Sequence, residues 1–171
     1  MTLVLFAAVT FVLMAIEARR AAGNERAQRA AGGFEPAGDV YRLMQVAYPG
    51  AFLAMMLEGA VRGGAPGPSA AAGAVVFALA KALKWWAILT LDRAWTFRVI
   101  VVPQAPLVAT GPYRFMRHPN YVGVIGELVG AALITGALIA GPITTALFMA
   151  LIVKRIQIET RALDRVCGPD L

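Results

Sequence analysis

The chain has 171 residues, of which 59% are hydrophobic and 15% are charged, and its mean hydropathy is +0.67. A soluble domain carries about a quarter charged residues, and here the apolar residues come in long blocks, so the composition indicates an integral membrane protein. The net charge is +6, but the basic residues lie at block ends and form no stripe, which argues against a nucleic-acid partner. The single cysteine, Cys167, excludes an intrachain disulfide and a cysteine-based metal site, so no metal is expected.

Five apolar blocks predict an all-α polytopic membrane protein with about five transmembrane helices. In chain order the blocks are roughly 1–17, 40–61, 69–91, 119–139 and 142–158. Lys81 and Lys84 stand beside two tryptophans, and such lysines can snorkel to the interface. Gly126 and Gly130 form a small-xxx-small pair that favours close helix packing. Because only residues 140–142 separate the last two blocks, they are predicted to form a tight hairpin.

The basic residues between the blocks predict the orientation. Four arginines lie in connector 18–39, one in 62–68 and four in 92–118, whereas tip 140–142 carries none and the tail after it carries four lysines and arginines. By the positive-inside rule, this alternation places the N-terminus outside and the C-terminus in the cytosol. The polar residues of the third connector and of the tail are therefore expected on the same side.

We accordingly expect a single membrane domain over residues 1–171. It comprises three N-terminal helices (1–91), a cytosolic connector (92–118) and a C-terminal catalytic hairpin and tail (119–166). The connector is unusually apolar from Trp95 to Pro112. It therefore either packs over a cavity or lies in the membrane interface.

The first polar cluster contains His118, the only histidine of the chain. Pro119 disfavours helical geometry at His118 and can open the fourth helix at its first turn, where free N–H groups and the helix dipole suit an anion. Asn120 and Tyr121 add polar groups to the same turn. The alternative is that His118 and Tyr121 only anchor the helix at the interface.

The second polar cluster contains Arg155 and Glu159, which share one helix face because they are four residues apart. Glu127 lies about two turns into the fourth block, where an acid is costly and indicates function. The simpler alternatives are a pair between Glu127 and Lys154, and a plain ion pair between Arg155 and Glu159. Neighbouring charges of both signs would also suit a zwitterionic ligand.

Together these residues resemble the isoprenylcysteine carboxyl methyltransferase family of integral membrane enzymes, which use S-adenosylmethionine. The resemblance covers roughly residues 105–163. It rests on the segments Leu107-Val108, Gly111-Pro-Tyr-Arg114, Arg117-His-Pro-Asn-Tyr-Val-Gly123 and Arg155-Ile-Gln-Ile-Glu159. The run 93–103 is similar to a bacterial branch associated with O-methylation of alkylresorcinols and alkylpyrones, the long-chain products of type III polyketide synthases.

The resemblance implies a role for each matching position. The residues implied to bind S-adenosylmethionine are Leu107, Val108, Tyr113, His118, Pro119, Asn120, Tyr121 and Glu159. Glu159 would hold the ammonium group of the cofactor, and Arg155 would face the substrate. The sequence departs from the family at Ala105, often a histidine, and at Thr160, often a second glutamate.

The expected function is O-methylation of a lipophilic substrate, foremost the hydroxyl of a long-chain alkylresorcinol or alkylpyrone. Glu127 or His118 would accept the proton, or Arg155 would lower the substrate pKa. The substrate would enter from the bilayer, in a bacterial inner membrane with the active site facing the cytosol, and a type III polyketide synthase is an expected functional partner. The alternatives are an isoprenylcysteine carboxyl methyltransferase, a phospholipid N-methyltransferase, and a non-catalytic membrane subunit or transporter.

Overall fold

The computed structural model describes residues 3–63, 68–106 and 108–167, with side chains through residue 162, and this part of the chain is helical. The helices are α1 (Leu3–Ala30), α2 (Tyr41–Val61), α3 (Ala70–Leu91), α4 (Pro119–Thr135) and α5 (Ala140–Cys167), with 3₁₀ turns at Asp92–Ala94 and Gly111–Arg114. One isolated β-bridge joins Phe34 to Val101. The predicted all-α class and the number of helices are confirmed.

Two of the helical stretches are long and apolar enough to cross a membrane, namely Ala70–Ala94 and Ala140–Ala162. The apolar helix Pro119–Thr135 is shorter. These lengths support a membrane protein, while the five-span arrangement remains a prediction.

The helix boundaries differ from the sequence prediction at two places. First, α1 continues to Ala30, so most of connector 18–39 is helical. Second, the turn between α4 and α5 occupies residues 136–139 rather than 140–142, because Gly136 ends α4 in the left-handed conformation with φ of 66°. The Glu58 carboxylate then accepts hydrogen bonds from the backbone N–H groups of Ile139 and Ala140 and caps the start of α5.

Helix α4 packs against α3 along a stripe of glycines. A Cβ atom added at Gly126 would lie 2.7 Å from the Cβ of Ala80, and one at Gly130 would lie 2.7 Å from the backbone nitrogen of Phe77. The two backbones therefore approach more closely than any larger residue would allow. This confirms the predicted close packing and identifies α3 as the partner of the stripe.

The apolar core lies between these helices and is rich in aromatic rings. Phe6, Phe52 and Leu128 are fully buried, and the rings of Phe6 and Phe77 meet edge to face with centroids 5.3 Å apart. Because this core joins α1 to α2, α3 and α4, it fixes the helices that surround the site described below.

The Gly130→Ala substitution is expected to destabilise the protein by about 1–3 kcal/mol, because the new methyl group overpacks a backbone contact. Thermal unfolding in detergent measures the effect. Gly23→Ala is the matched control, since nothing lies within 4 Å of a Cβ at Gly23, and the gain in helix propensity of about 1 kcal/mol makes it neutral or stabilising. Equal stability of the two variants would contradict the close contact.

Candidate functional site

A cavity of about 680 Å³ lies among the five helices and the segment that follows α3. Cavities of roughly 300–1,000 Å³ accommodate small molecules and cofactors. Of the ten residues that the sequence analysis singled out, six form part of the wall of this cavity. They belong to the second 3₁₀ turn, the start of α4 and the polar part of α5, and they are Tyr113, His118, Asn120, Tyr121, Arg155 and Glu159. The structure thus brings the two polar clusters of the sequence together.

Four of the ten residues lie elsewhere. Pro119 is buried as the first residue of α4, and Val108 is half-buried outside the cavity wall. Glu127 is fully buried behind the wall. Leu107 lies outside the described residues.

The start of α4 has the geometry that the sequence predicted. His118 has φ of −131° and ψ of 59° and forms the N-cap, Pro119 follows it, and the His118 carbonyl accepts the N–H of Tyr121 at 3.1 Å. The imidazole of His118 stacks on the ring of Tyr121, with centroids 5.4 Å apart. Asn120 Oδ1 is buried and accepts no hydrogen bond from the described residues. This wall therefore offers an aromatic face and a free acceptor to a ligand.

Tyr121 connects the two charges of the second cluster. Arg155 Nε donates a hydrogen bond to the Tyr121 hydroxyl at 2.8 Å, and that hydroxyl donates to Glu159 Oε2 at 3.0 Å. The phenol therefore bridges the cation and the anion, in place of the direct ion pair between them that the spacing alone suggested. A cation and a carboxylate consequently stand side by side on the cavity wall.

Tyr113 completes this wall from the second 3₁₀ turn. Gly111 allows the turn to rest on α3, because its φ is +56° and a Cβ there would lie 2.5 Å from Thr90 Oγ1. Burial raises the pKa of the Tyr113 phenol above its usual value, and the negative charge of Glu159 adds to the effect. Tyr113 is therefore a neutral hydrogen-bonding group at physiological pH.

Asp39 is a site residue that the sequence analysis missed. Its side chain is 2% exposed, and its carboxylate accepts hydrogen bonds from Arg155 Nη1 at 3.3 Å, from the Val99 N–H at 3.0 Å and from the Tyr41 N–H at 3.1 Å. The sequence carried a local signal, because Gly38-Asp39 precedes an apolar block as a helix-start residue does. The partners on α5 and after α3 lie far along the chain, so the local signal could not reveal them.

The apolar segment after α3 covers the cavity, which is one of the two alternatives that its composition left open. Trp95 is 3% exposed and lines the cavity together with residues 96–101. The polar half of α1 holds this segment, because Asn24 Nδ2 donates to the Trp95 carbonyl at 2.7 Å and Gln28 Nε2 donates to the Arg93 carbonyl at 2.8 Å. We call residues 94–101 the cap.

Arg98 fastens the cap to the segments on either side of it. Its guanidinium lies 2.8 Å from Glu35, 3.1 Å from Glu25 and 4.4 Å from the centre of the Tyr41 ring. Although burial opposes the charged form of Glu35, hydrogen bonds from Arg98 and Arg29 hold its pKa below the usual value. The carboxylate therefore stays ionised at neutral pH and keeps the cap attached.

A second polar group, made of four charged side chains and one phenol, borders the same cavity. We call it the inner cluster: Glu17, Tyr48, Lys81, Lys84 and Glu127. Lys84 Nζ lies 2.7 Å from Glu17 and 3.5 Å from Glu127, and Lys81 Nζ lies 3.1 Å from Glu17 and 2.9 Å from Glu127. The Tyr48 hydroxyl donates to Glu127. The cavity wall includes Glu17, Tyr48 and Lys84.

The inner cluster corrects two expectations. The lysines do not snorkel, because their side chains are only 11% and 3% exposed and end on buried carboxylates. Glu127 pairs with these lysines of α3 rather than with the exposed Lys154. The reason is that the glycine stripe brings α4 directly against the lysine-bearing face of α3.

The Asp39→Asn substitution is expected to destabilise the protein by about 3 kcal/mol, because it removes one partner of a buried ion pair. Chemical unfolding in detergent measures the loss, and hydrogen exchange should rise in the cap. Asp92→Asn is the control, since the Asp92 side chain is 67% exposed in its pair with Arg20, and an exposed pair contributes at most about 1 kcal/mol. Similar losses in both variants would contradict the anchoring role of Asp39.

Comparison with known proteins adds the family. The sequence model of the isoprenylcysteine carboxyl methyltransferase (ICMT) family matches residues 72–165. The uncharacterized protein YpbQ of Bacillus subtilis (strain 168) is 33% identical over 91 residues, which are 53% of this chain and 54% of that protein, so the chain spans about half the length of this relative. An uncharacterized protein of Haemophilus influenzae (strain Rd) is 22% identical over 160 residues, 93% of this chain and 91% of that protein. No solved structure matches significantly.

Proposed function

Because the chain belongs to the isoprenylcysteine carboxyl methyltransferase family, we propose that it is a membrane methyltransferase that moves a methyl group from S-adenosylmethionine to an oxygen atom of a lipophilic acceptor. One observation carries the proposal. Six residues that the family resemblance assigns to cofactor and substrate line one cavity of about 680 Å³. They come from separate parts of the chain, and only folding brings them together.

The cavity wall fits the groups of S-adenosylmethionine. Glu159 offers a carboxylate to the ammonium group, and the positive end of the α4 dipole, beside the cavity-lining Asn120, favours the carboxylate of the ligand. Asn120 Oδ1 is a buried acceptor available to a ligand N–H or O–H donor. The stacked rings of His118 and Tyr121 provide an aromatic surface for adenine. When bound, S-adenosylmethionine supplies an electrophilic methyl group on a sulfonium.

The protein contributes position and exclusion of water. The cap covers the cavity with Trp95 and Val99, which are almost fully buried. Proximity and exclusion of water lower the barrier for two bound reactants. Arg155 is proposed to face the acceptor, because it lines the cavity beside Tyr121 and is fixed there by Asp39.

We further propose that all five helices cross a bacterial inner membrane. Every helix carries exposed apolar side chains, for example Val12, Leu53, Leu79, Val129 and Leu147. The basic residues of the connectors favour an outside N-terminus and a cytosolic C-terminus. The cap then lies on the cytosolic side, from which the cofactor enters, and the acceptor enters from the bilayer.

The proposed acceptor is the hydroxyl group of a long-chain alkylresorcinol or alkylpyrone, which a type III polyketide synthase would supply. A prenylated cysteine carboxylate is the second candidate, and the family match favours it. The two acceptors differ in charge, since the first is a neutral donor and the second an anion at neutral pH.

Calorimetry of the detergent-purified protein tests the cofactor site. We expect S-adenosylmethionine to bind with a Kd in the micromolar range, and Glu159→Gln to weaken binding at least tenfold because the ammonium group loses its counter-charge. Thr160→Ala is the control, since Thr160 is the exposed neighbour of Glu159 and is expected to keep the wild-type Kd. A folded wild-type protein that does not bind S-adenosylmethionine would overturn the proposed function.

Cysteine labelling in spheroplasts tests the orientation. In a Cys167→Ser background, the Arg62→Cys variant should react with a membrane-impermeant maleimide, because connector 62–68 is proposed to face outward. The Ala105→Cys variant should react only after lysis. The reverse pattern would place the site on the outer side, and labelling of both variants before lysis would contradict the spans between them.

A further inference from the structure

The inner cluster is buried, balanced in charge and in contact with the cavity. Its two carboxylates, Glu17 and Glu127, are 1% and 0% exposed, and its two lysines are almost as deeply buried. The charges therefore sum to zero, and every one of them is paired. Burying four charges costs free energy unless geometry and hydrogen bonds compensate. Because the apolar core could hold these helices together without the charges, the cost of burying them points to a function.

The cluster borders the same cavity as the residues proposed to bind the cofactor, but at a position farther along α4. Tyr121 and Val124 both line the cavity, and Glu127 lies about one turn after Val124, on the side of α4 that faces the lysines of α3. Six residues of α-helix rise by about 9 Å, so the cluster stands roughly that far from Tyr121 along the helix. The space between them is walled by apolar side chains such as Val124 and Phe148.

Resting on the proposed function, we infer that the inner cluster binds the reacting hydroxyl of the acceptor, whose remaining part extends toward Arg155, and that the cluster selects a neutral hydroxyl group. Glu17 accepts the proton of that hydroxyl, and Lys84 stabilises the oxygen anion that is formed. Both side chains line the cavity, and their charged groups are 2.7 Å apart. Tyr48, the third cavity-lining member, donates a hydrogen bond to Glu127 and keeps its proton, so it does not act as the base.

Glu17 fits the role of base better than the two groups that the sequence suggested. Glu127 is not one of the described residues that line the cavity. Its carboxylate is paired with Lys81 and Lys84 and accepts a hydrogen bond from Tyr48. His118 stacks on Tyr121 among the residues proposed to bind the cofactor. Each oxygen of Glu17 pairs with one lysine, and a carboxylate oxygen has room for a second donor.

The inner cluster selects a hydroxyl acceptor because its net charge then stays zero during the reaction. When a phenol or enol transfers its proton to Glu17, the pair of Lys84 with a carboxylate becomes a pair of Lys84 with an oxygen anion, and the net charge of the cluster stays zero. An acceptor carboxylate would instead bring a third carboxylate and an unbalanced negative charge into the buried cluster, which is costly. The cluster therefore favours a hydroxyl acceptor over a carboxylate acceptor.

The step balances in atoms and charge. The acceptor oxygen forms a bond to the methyl carbon as the bond of that carbon to sulfur breaks, and the sulfonium becomes a neutral thioether. The hydroxyl proton remains on Glu17, which must release it before the next turnover. The products are a methyl ether, the thioether and one proton.

Methyl transfer to two matched phenols tests the role of Glu17. One probe is a long-chain alkylphenol, and the other is the same phenol with a nitro group ortho to the hydroxyl, which is largely ionised at the assay pH. Glu17→Gln is expected to lower kcat for the alkylphenol at least 100-fold, because the base is removed. For the nitro analogue it should lower kcat less than about fivefold, since that acceptor needs no base.

The outcomes separate this inference from the proposed function. Failure of the wild-type protein to bind S-adenosylmethionine would remove the proposed function itself. A wild type that binds the cofactor but methylates neither phenol, or prefers N-acetyl-S-farnesylcysteine to them, would overturn the hydroxyl selectivity. Equal losses on both phenols in a Glu17→Gln variant that still binds S-adenosylmethionine would overturn the role of Glu17 as base, since that binding shows the variant to be folded.

Discussion

The rest of the structure depends on the balance of buried charge between α1, α3 and α4. Lys81 and Lys84 each reach both Glu17 and Glu127, so the loss of any one of these four side chains would leave an unbalanced charge in an apolar interior. Because each lysine pairs with both acids, the cluster fixes the position of each helix along its axis relative to the other two. Apolar side chains of similar size would define these positions less strictly. Because the lysines of α3 stand between the two acids, α1 and α4 must lie on either side of them. The cavity exists in the space that this arrangement leaves beside α2.

The glycines of α4 make that balance possible. A Cβ at Gly123 would lie 2.9 Å from the Cβ of Lys84, so a larger residue at this position would push the lysine away from Glu127. His118 and Tyr121 lie at the start of the same helix, about two and a half turns and about one and two-thirds turns before Glu127. Packing against α3 therefore sets the direction of the helix start that lines the cavity, as well as the position of the charges.

Local features of the site were predictable from the sequence, whereas its long-range partners were not. The proline after His118 sets the start of α4, and the four-residue spacing of Arg155 and Glu159 places both on one face, since each depends only on backbone geometry. Asp39 and Glu17 escaped notice because their partners lie 116 and 64 residues away. The lysines were misassigned to the interface for the same reason, since a snorkelling lysine and a paired buried one have identical surroundings in the sequence.

Arg155 links the two functions that the cavity must combine. Its guanidinium contacts Tyr121 in the wall and Asp39, whose carboxylate also holds the backbone of Val99 in the cap. A change at the cap therefore acts on the same buried cation that faces the proposed acceptor, and a change at that cation acts on the cap. Since a buried arginine cannot lose its proton to relieve an unpaired charge, both contacts must persist together. Closing the cavity against water and orienting the charged wall are consequently one structural event rather than two.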